Sequence, residues 1–238
     1  MSSFLVNKVS HSYDGIILFD NLQLNLAHGK WTCLLGPSGA GKTTLLRIIA
    51  GLIPNDLGPH PSPEISYMAQ TDLLLPWLTA MDNVLIGTKL RGNITKTHLH
   101  KARDLFSKVG LNGAENKFPS QLSGGMRQRV ALVRTLMEEK NIVLMDEPFS
   151  GVDAITRYQL QTLAAELLKD CTVLLVTHDP LEAIRLGDEI FVLSGVPAVL
   201  QLAAKLSSPI PRDPADSDVV KKQADLFHLL TQAKGELT

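Results

Sequence analysis

The residues best placed to do chemistry lie in one run, Gly36-Pro37-Ser38-Gly39-Ala40-Gly41-Lys42-Thr43-Thr44. Its glycines let backbone N–H groups turn inward around an anion without Cβ clashes. A helix starting at the end of the run points its positive end at the same place. Lys42 brings a mobile cation to the β- and γ-phosphates, and the Thr43 hydroxyl is a ligand for Mg²⁺. The run therefore binds a nucleoside triphosphate. A second pair, Asp146-Glu147, ends the apolar stretch Ile142-Val143-Leu144-Met145. An acidic residue at the end of a strand beside a P-loop strand is where such enzymes hold Mg²⁺. Asp146 takes that part, through water, and Glu147 then reaches the water that attacks the γ-phosphate. A third group, Ser123-Gly124-Gly125, precedes a helix-like run of Val130, Ala131, Val133 and Leu136. That is a helix N-terminus with exposed backbone donors, and so a second anion site.

The elements that must position these groups follow from the hydrophobic pattern. Trp31-Thr32-Cys33-Leu34-Leu35 feeds the P-loop as a strand, and Leu45-Leu46-Arg47-Ile48-Ile49-Ala50 follows it as a helix. Upstream, Phe4 to Ser10 is expected to be a strand, His11 to Gly15 a turn, and Ile16 to Phe19 a second strand. Leu22-Gln23-Leu24-Asn25-Leu26 alternates and is expected to be half buried. The segment 54–63 is dense in Pro and turn formers, is not expected to hold regular structure, and lies between elements rather than in the active site. Ile65 to Ala69 reads as a short strand ending at Gln70. From about 73 to 136 there is no strand signal. There, Ala80–Leu90 and Lys96–Val109 have helical spacing, with Leu99, Ala102, Leu105, Phe106 and Val109 on one face. Asn141–Glu147 and Cys171–Thr177 read as buried parallel strands. Ala154–Lys169 and Leu181–Leu186 read as helices, Glu189–Leu193 as a strand, and Val219–Ala233 as a terminal helix. Strands alternating with helices around a P-loop imply an α/β protein with a parallel sheet core.

Bulk properties narrow the class. The 238 residues are 45% hydrophobic, enough for a globular core. With 23 basic and 24 acidic side chains there is no charge bias of the kind that advertises nucleic acid, and no nucleic-acid partner is expected. No apolar run reaches the length of about 18 residues that spans a bilayer. The run from Met1 to Lys8 has no signal-peptide pattern. Cys33 and Cys171 sit far apart, in or beside strand-like runs, and are expected to be buried reduced thiols. If the protein works at a membrane, another chain does the spanning.

In their order along the chain, the P-loop, Gln70, Leu122-Ser123-Gly124-Gly125-Met126, the Ile142–Glu147 strand, Ser150–Asp153 and His178 resemble the ATP-binding cassette (ABC) ATPases. The resemblance covers residues from about 4 to 205. It implies a P-loop NTPase fold with a RecA-like core, an N-terminal antiparallel β region and an inserted helical subdomain at about 73–136. Residues 1–206 would form the ATPase domain and 207–238 a tail. It implies ATP and Mg²⁺ as cofactors. The P-loop residues Gly36, Pro37, Ser38, Gly39, Ala40, Gly41, Lys42, Thr43 and Thr44 would hold ATP, with Ser123, Gly124 and Gly125 clamping it from a second subunit. Thr43, Gln70 and Asp146 would serve Mg²⁺, with Gln70 also joining the attacking water to a transport partner. Glu147 and His178 would act in hydrolysis, His178 by bonding the γ-phosphate and orienting Glu147. Asp153 would lie at the seam of a homodimer. Tyr13 has two readings, stacking on adenine or plain surface packing.

Finer motifs are similar to the nitrate, sulfonate and taurine importer branch, which includes importers of pyrimidine precursors of thiamine. They are Leu75-Pro76-Trp77-Leu78-Thr79, Met126-Arg127-Gln128-Arg129 and Thr177-His178-Asp179-Pro180-Leu181-Glu182-Ala183. This implies an ATPase subunit on the cytoplasmic face of the inner membrane, partnered by a permease and a periplasmic or lipoprotein binding protein. The other reading is a soluble ABC ATPase uncoupled from transport. Trp77 also has two readings, core packing or docking of the membrane subunit. The sequence departs from the family in three places. The span from Lys42 to Gln70 is short, the signature ends in Met126, and Gly151-Val152 stands where Ala-Leu is usual. The cargo is not readable here, because importers select it in other subunits.

Overall fold

The computed structural model describes residues 3–53 and 65–235, so the Pro-rich segment 54–63 lies outside the described residues. The strands are β1 (Phe4–Tyr13), β2 (Ile16–Leu26), β3 (Trp31–Leu35), β4 (Ile65–Met68), β5 (Ile142–Asp146), β6 (Thr172–Val176), β7 (Glu189–Ser194) and β8 (Val199–Lys205). The helices are α1 (Lys42–Ile49), α2 (Ala80–Arg91), α3 (Lys96–Lys108), α4 (Gly124–Leu136), α5 (Ala154–Leu167), α6 (Pro180–Leu186) and α7 (Ser217–Gly235). The chain divides into two units. The first is Met1–Ile65, Asn141–Glu147 and Leu168–Thr238, and the second is Ser66–Lys140 and Pro148–Leu167.

In the first unit the strand order is β5-β6-β3-β7-β8. β3 pairs in parallel with β6 on one side and β7 on the other, and β5 pairs in parallel with β6. Every residue of β3, β5 and β6 is buried, as continuous apolar runs in a parallel sheet require. Because parallel strands end on the same side, the ends of β3, β5 and β6 bring Leu35, Asp146 and Val176 to one edge.

The N-terminal region corrects the expected turns. No turn spans His11–Gly15. β1 runs on to Tyr13, which pairs with Ile16, so the reversal is Asp14-Gly15 alone. Both residues have positive φ, 48° and 81°, the geometry of a two-residue hairpin whose twist matches its strands. Nor does the second strand stop at Phe19. Asn21 adopts φ 51° where β2 holds an extra residue against β1, and its N–H donates to Ser10 Oγ at 3.1 Å. The alternation beyond it behaves as expected, with Leu22, Leu24 and Leu26 buried and Gln23 and Asn25 exposed.

β8 has no counterpart among the expected elements. It pairs antiparallel with β7, and most of its residues are exposed or half buried, so it lacks the apolar alternation that marks a strand. α7 packs on α6 and β7. The tail segment before α7 is held by buried Arg212, which donates to Ile184 O at 2.6 Å and Gly187 O at 2.8 Å. Cys33 is buried, but Cys171 is only partly buried, against expectation, because it precedes β6 in a surface turn.

The second unit has its own core. Val84 and Leu85 of α2, Ala102, Leu105 and Phe106 of α3, and Val130 and Val133 of α4 form one buried cluster. Each of the buried Val, Leu and Phe side chains contributes about 1.5–3 kcal/mol relative to exposure. Leu99 packs on its margin, so the helical face expected for 96–109 is the face that is buried. The three helices begin at hydroxyl caps: Thr79, Thr95 and Ser123 accept from the N–H groups of Asp82, His98 and Met126. Among the described residues, no helix is long and apolar enough to cross a membrane.

Candidate nucleotide site

β3 ends at Leu35 and α1 begins at Lys42, leaving residues 36–41 as the loop. Two positions there accept only glycine. A Cβ on Gly36, at φ 155°, would lie 2.4 Å from Leu193 O. One on Gly41, at φ 93°, would press on Phe19 and Leu18. Gly41 also caps α1 with no side-chain hydrogen bond, so the first N–H groups of the helix are left for a ligand or water. Lys42 folds back across the loop and is buried, with Nζ donating to Gly36 O at 2.7 Å and Pro37 O at 2.9 Å. Burial pulls its pKa below the ordinary lysine value, against the opposing pull of Glu147 and Asp146. The loop thus encloses one cation within a ring of backbone.

Asp146 closes β5 and is 1% exposed. Its Oδ1 accepts from Thr43 Oγ1 at 3.1 Å. Its Oδ2 is buried and has no hydrogen-bond partner. Burial raises the Asp146 pKa above the usual carboxylate value, while the Thr43 bond acts in the opposite sense. A buried carboxylate oxygen left bare is costly unless a cation meets it. The donor set fits Mg²⁺, a hard ion that takes a hydroxyl, one or two carboxylates and substrate phosphates. Among the described residues, no cluster of three or more His, Cys, Asp or Glu side chains could hold a metal. Thr43 and Asp146 fit an ion that shares its ligands with a phosphate chain.

Glu147 follows with φ 47°, a left-handed conformation that is uncommon and costly for a residue other than glycine. Its N–H donates to Val176 O at 2.9 Å, which ties the strained residue to the end of β6. His178 is two residues past that strand end. Its Nδ1 lies 3.1 Å from Glu147 Oε1, with Glu147 mostly buried and His178 mostly exposed. The turn that carries His178 is held on both sides. Thr177 Oγ1 accepts from Asp179 N at 3.1 Å, and Asp179 Oδ1 accepts from Leu181 N at 2.9 Å to cap α6. The first unit therefore gathers Lys42, Thr43, Asp146, Glu147 and His178. Tyr13 stands at the hairpin end, 70% exposed.

The remaining expected residues belong to the second unit. Ser123 Oγ accepts from Met126 N at 3.2 Å and so caps α4. Ser123 and Gly124 are exposed, and a Cβ on Gly125 would come within 3.2 Å of Val152 Cγ1. Val152 is buried, so the departure at Gly151-Val152 fills the space that Gly125 leaves. Gln70 and Asp153 are exposed, and Asp153 Oδ1 accepts from Thr156 N at 3.0 Å. Gln128, to which sequence reasoning gave no role beyond its place in the Met126–Arg129 motif, is buried and donates Nε2–H to Pro148 O at 2.8 Å.

Core packing of Trp77 is overturned, since the residue is 70% exposed, as is Leu73 at 61%. Their loop is nonetheless held firmly. Fully buried Asn83 accepts from Leu75 N at 2.7 Å and donates to the carbonyls of Leu75, Leu78 and Thr79.

A parallel sheet edge bearing a glycine loop, a buried lysine and a Thr–Asp pair defines a P-loop nucleotide-binding protein. Known proteins narrow the class. The family described as ABC transporter matches residues 19–150. An uncharacterized ABC transporter ATP-binding protein of Haemophilus influenzae is 44% identical over 238 residues, covering 98% of this chain and 97% of that one. The taurine import ATP-binding protein of Escherichia coli K12 is 40% identical over 204 residues, 80% of each chain. A solved dimeric ATP-binding cassette in a post-hydrolysis state with ADP and Pi superposes with a TM-score of 0.75 at 29% identity, over 88% of this chain and all of that one. This chain belongs to the ABC transporter family.

Proposed function

We propose that the chain is the ATP-hydrolysing subunit of an importer, working as a homodimer beneath a partner permease. The observation that carries this reading is the edge where Lys42, the Thr43–Asp146 pair and the Glu147–His178 pair converge. Lys42 exchanges the loop carbonyls for β- and γ-phosphate oxygens, which a charged donor holds more strongly. Thr43 and Asp146 would hold Mg²⁺, which would screen the phosphate charge. Glu147 takes a proton from the attacking water, and His178 keeps its carboxylate aimed. Ser123, Gly124 and Gly125 offer the N-terminus of α4 to the γ-phosphate held by the other subunit. ATP then joins two chains, and hydrolysis releases them. The difference in ATP affinity between the closed and open pairs is what performs work.

Two features favour transport over a soluble role. The taurine-importing relative supports a small-solute importer, with nitrate, sulfonate, taurine or a thiamine pyrimidine precursor as the cargo class. The firmly held loop that exposes Leu73 and Trp77 is an apolar patch suited to a permease. A periplasmic or lipoprotein binding protein would complete the system on the far side of the inner membrane, with this chain peripheral on the cytoplasmic side. The test is affinity purification from solubilised membranes of the source organism. Recovery of a permease with the chain, and ATP hydrolysis stimulated by it, is expected. A chain that hydrolyses ATP at full rate alone and brings down no membrane protein would refute the importer reading.

A further inference from the structure

The loop from Asp72 to Thr79 is fastened to α4 by two arginines placed seven residues apart, and hence on nearly one face of that helix. Arg127 Nε donates to Asp72 Oδ2 at 2.9 Å, while its Nη1 donates to Leu122 O at 3.0 Å. Arg134 donates to Leu73 O at 2.8 Å and Asp72 O at 2.7 Å. Asp72 Oδ1 in turn accepts from Leu74 N at 3.1 Å, which folds the backbone into an Asx turn. Leu73 sits at φ 46° within that turn, a conformation leucine rarely adopts, with its side chain held outward.

Arg127 is the connecting group. One edge of its guanidinium grips the carboxylate at the start of the exposed loop. The other edge grips the carbonyl of Leu122, the residue immediately before Ser123. A planar fork with fixed donors transmits position in a way that a flexible ammonium does not. We propose that Asp72 and Arg127, braced by Arg134, are positioning residues that lock the Ser123 turn to the Leu73–Trp77 loop. A permease seated on Leu73 and Trp77 then sets the Ser123 turn through the Asp72–Arg127 ion pair, with Arg134 holding the loop backbone. This rests on the reading of Ser123–Gly125 as the clamp for a second chain's nucleotide.

The test separates the clamp from the chain's own P-loop. In a Glu147→Gln background, dimer formation with ATP and Mg²⁺ is followed by sedimentation velocity. Asp72→Asn and Arg127→Gln are compared with the parent, singly and together. Loss of a charge-assisted hydrogen bond should weaken the dimer about tenfold in either single variant. Because both remove one link, the double variant should be no weaker than the singles. Binding of ADP by the monomer, measured by calorimetry, should be unchanged. Since Asp72→Asn keeps the side chain's shape and its Asx acceptor, its melting temperature should match the parent and exclude misfolding as the cause. Single variants that dimerise like the parent, or losses that add in the double variant, would overturn the link while leaving the clamp intact. A parent that stays monomeric in ATP overturns the clamp reading, and the proposal falls with it.

Discussion

In the first unit, Lys42 Nζ donates hydrogen bonds to Gly36 O and Pro37 O, Thr43 Oγ1 donates one to Asp146 Oδ1, and Glu147 lies against His178. Most of the cradle's side chains are thus paired within the chain, and Asp146 Oδ2 is left bare. In the second unit, the Ser123 turn stands exposed, with the serine hydroxyl spent on capping its own helix. The first arrangement is a preformed intramolecular network around a cation. The second is a helix end whose positive potential is open to solvent, and it becomes a binding site only when a molecule outside the chain supplies the anion. On the proposed function, a chain that carries both halves in these two states would bind nucleotide alone but act on it in pairs.

The difference predicts unequal consequences. Lys42→Ala removes the cradle's cation and should have the largest effect. ATP affinity should fall about a hundredfold or more, since two hydrogen bonds from a charged donor are lost. Calorimetric titration checks this, and near-normal affinity would place the phosphates elsewhere. Gly36→Ala acts on the fold of the cradle, because the new methyl meets Leu193 O. It should cost about 1–3 kcal/mol of stability in denaturant titration.

Ser123→Ala should be milder on the fold, costing about 1 kcal/mol for the lost cap. Its functional signature is a split. ADP binding by the monomer stays as it was, while the ATP-dependent dimer weakens. Equal loss of both would erase the contrast between the two regions.

Asp146→Asn should have the smallest effect on stability, and of opposite sign. Burial raises the Asp146 pKa. For a raised pKa, the stability linked to protonation is present at low pH and is lost as pH rises through that value. At neutral pH and without metal, the ionised carboxylate therefore burdens the fold. Asp146→Asn should raise the melting temperature of the nucleotide-free protein at neutral pH, and the gain should vanish in acid. The stabilisation that Mg²⁺ with nucleotide confers should be lost in the same variant. A neutral-pH decrease in melting temperature would mean that the carboxylate already has its counter-charge within the chain.

Much of this was legible in the sequence, and the exceptions have physical causes. The P-loop, the Asp146-Glu147 pair and the parallel strands were readable because each is contiguous and its chemistry requires adjacency. The strand break expected at Asp20-Asn21 did not occur, since a single asparagine in the left-handed region lets the strand continue past a bulge. β8 was illegible because an exposed edge strand carries no apolar alternation. The exposure of Trp77 could not be read either, because the loop's conformation is set by Asn83, which the sequence gives no reason to single out. The Asp72–Arg127 pair joins residues 55 apart, and no local period signals it. What sequence reasoning missed are contacts between elements that each look ordinary alone.

The central claim, that the cradle of one chain and the Ser123 turn of another share one ATP, is tested most directly with Glu147→Gln. The substitution keeps the side chain's shape but removes the basicity that draws a proton from water. Mg²⁺ ligands and Lys42 remain, so ATP should bind and stay uncleaved. Sedimentation with ATP and Mg²⁺ should show a dimer that ADP does not support and that Ser123→Ala weakens. A variant that hydrolyses ATP at the wild-type rate, or that binds ATP tightly yet sediments as a monomer at every protein concentration, would contradict the account.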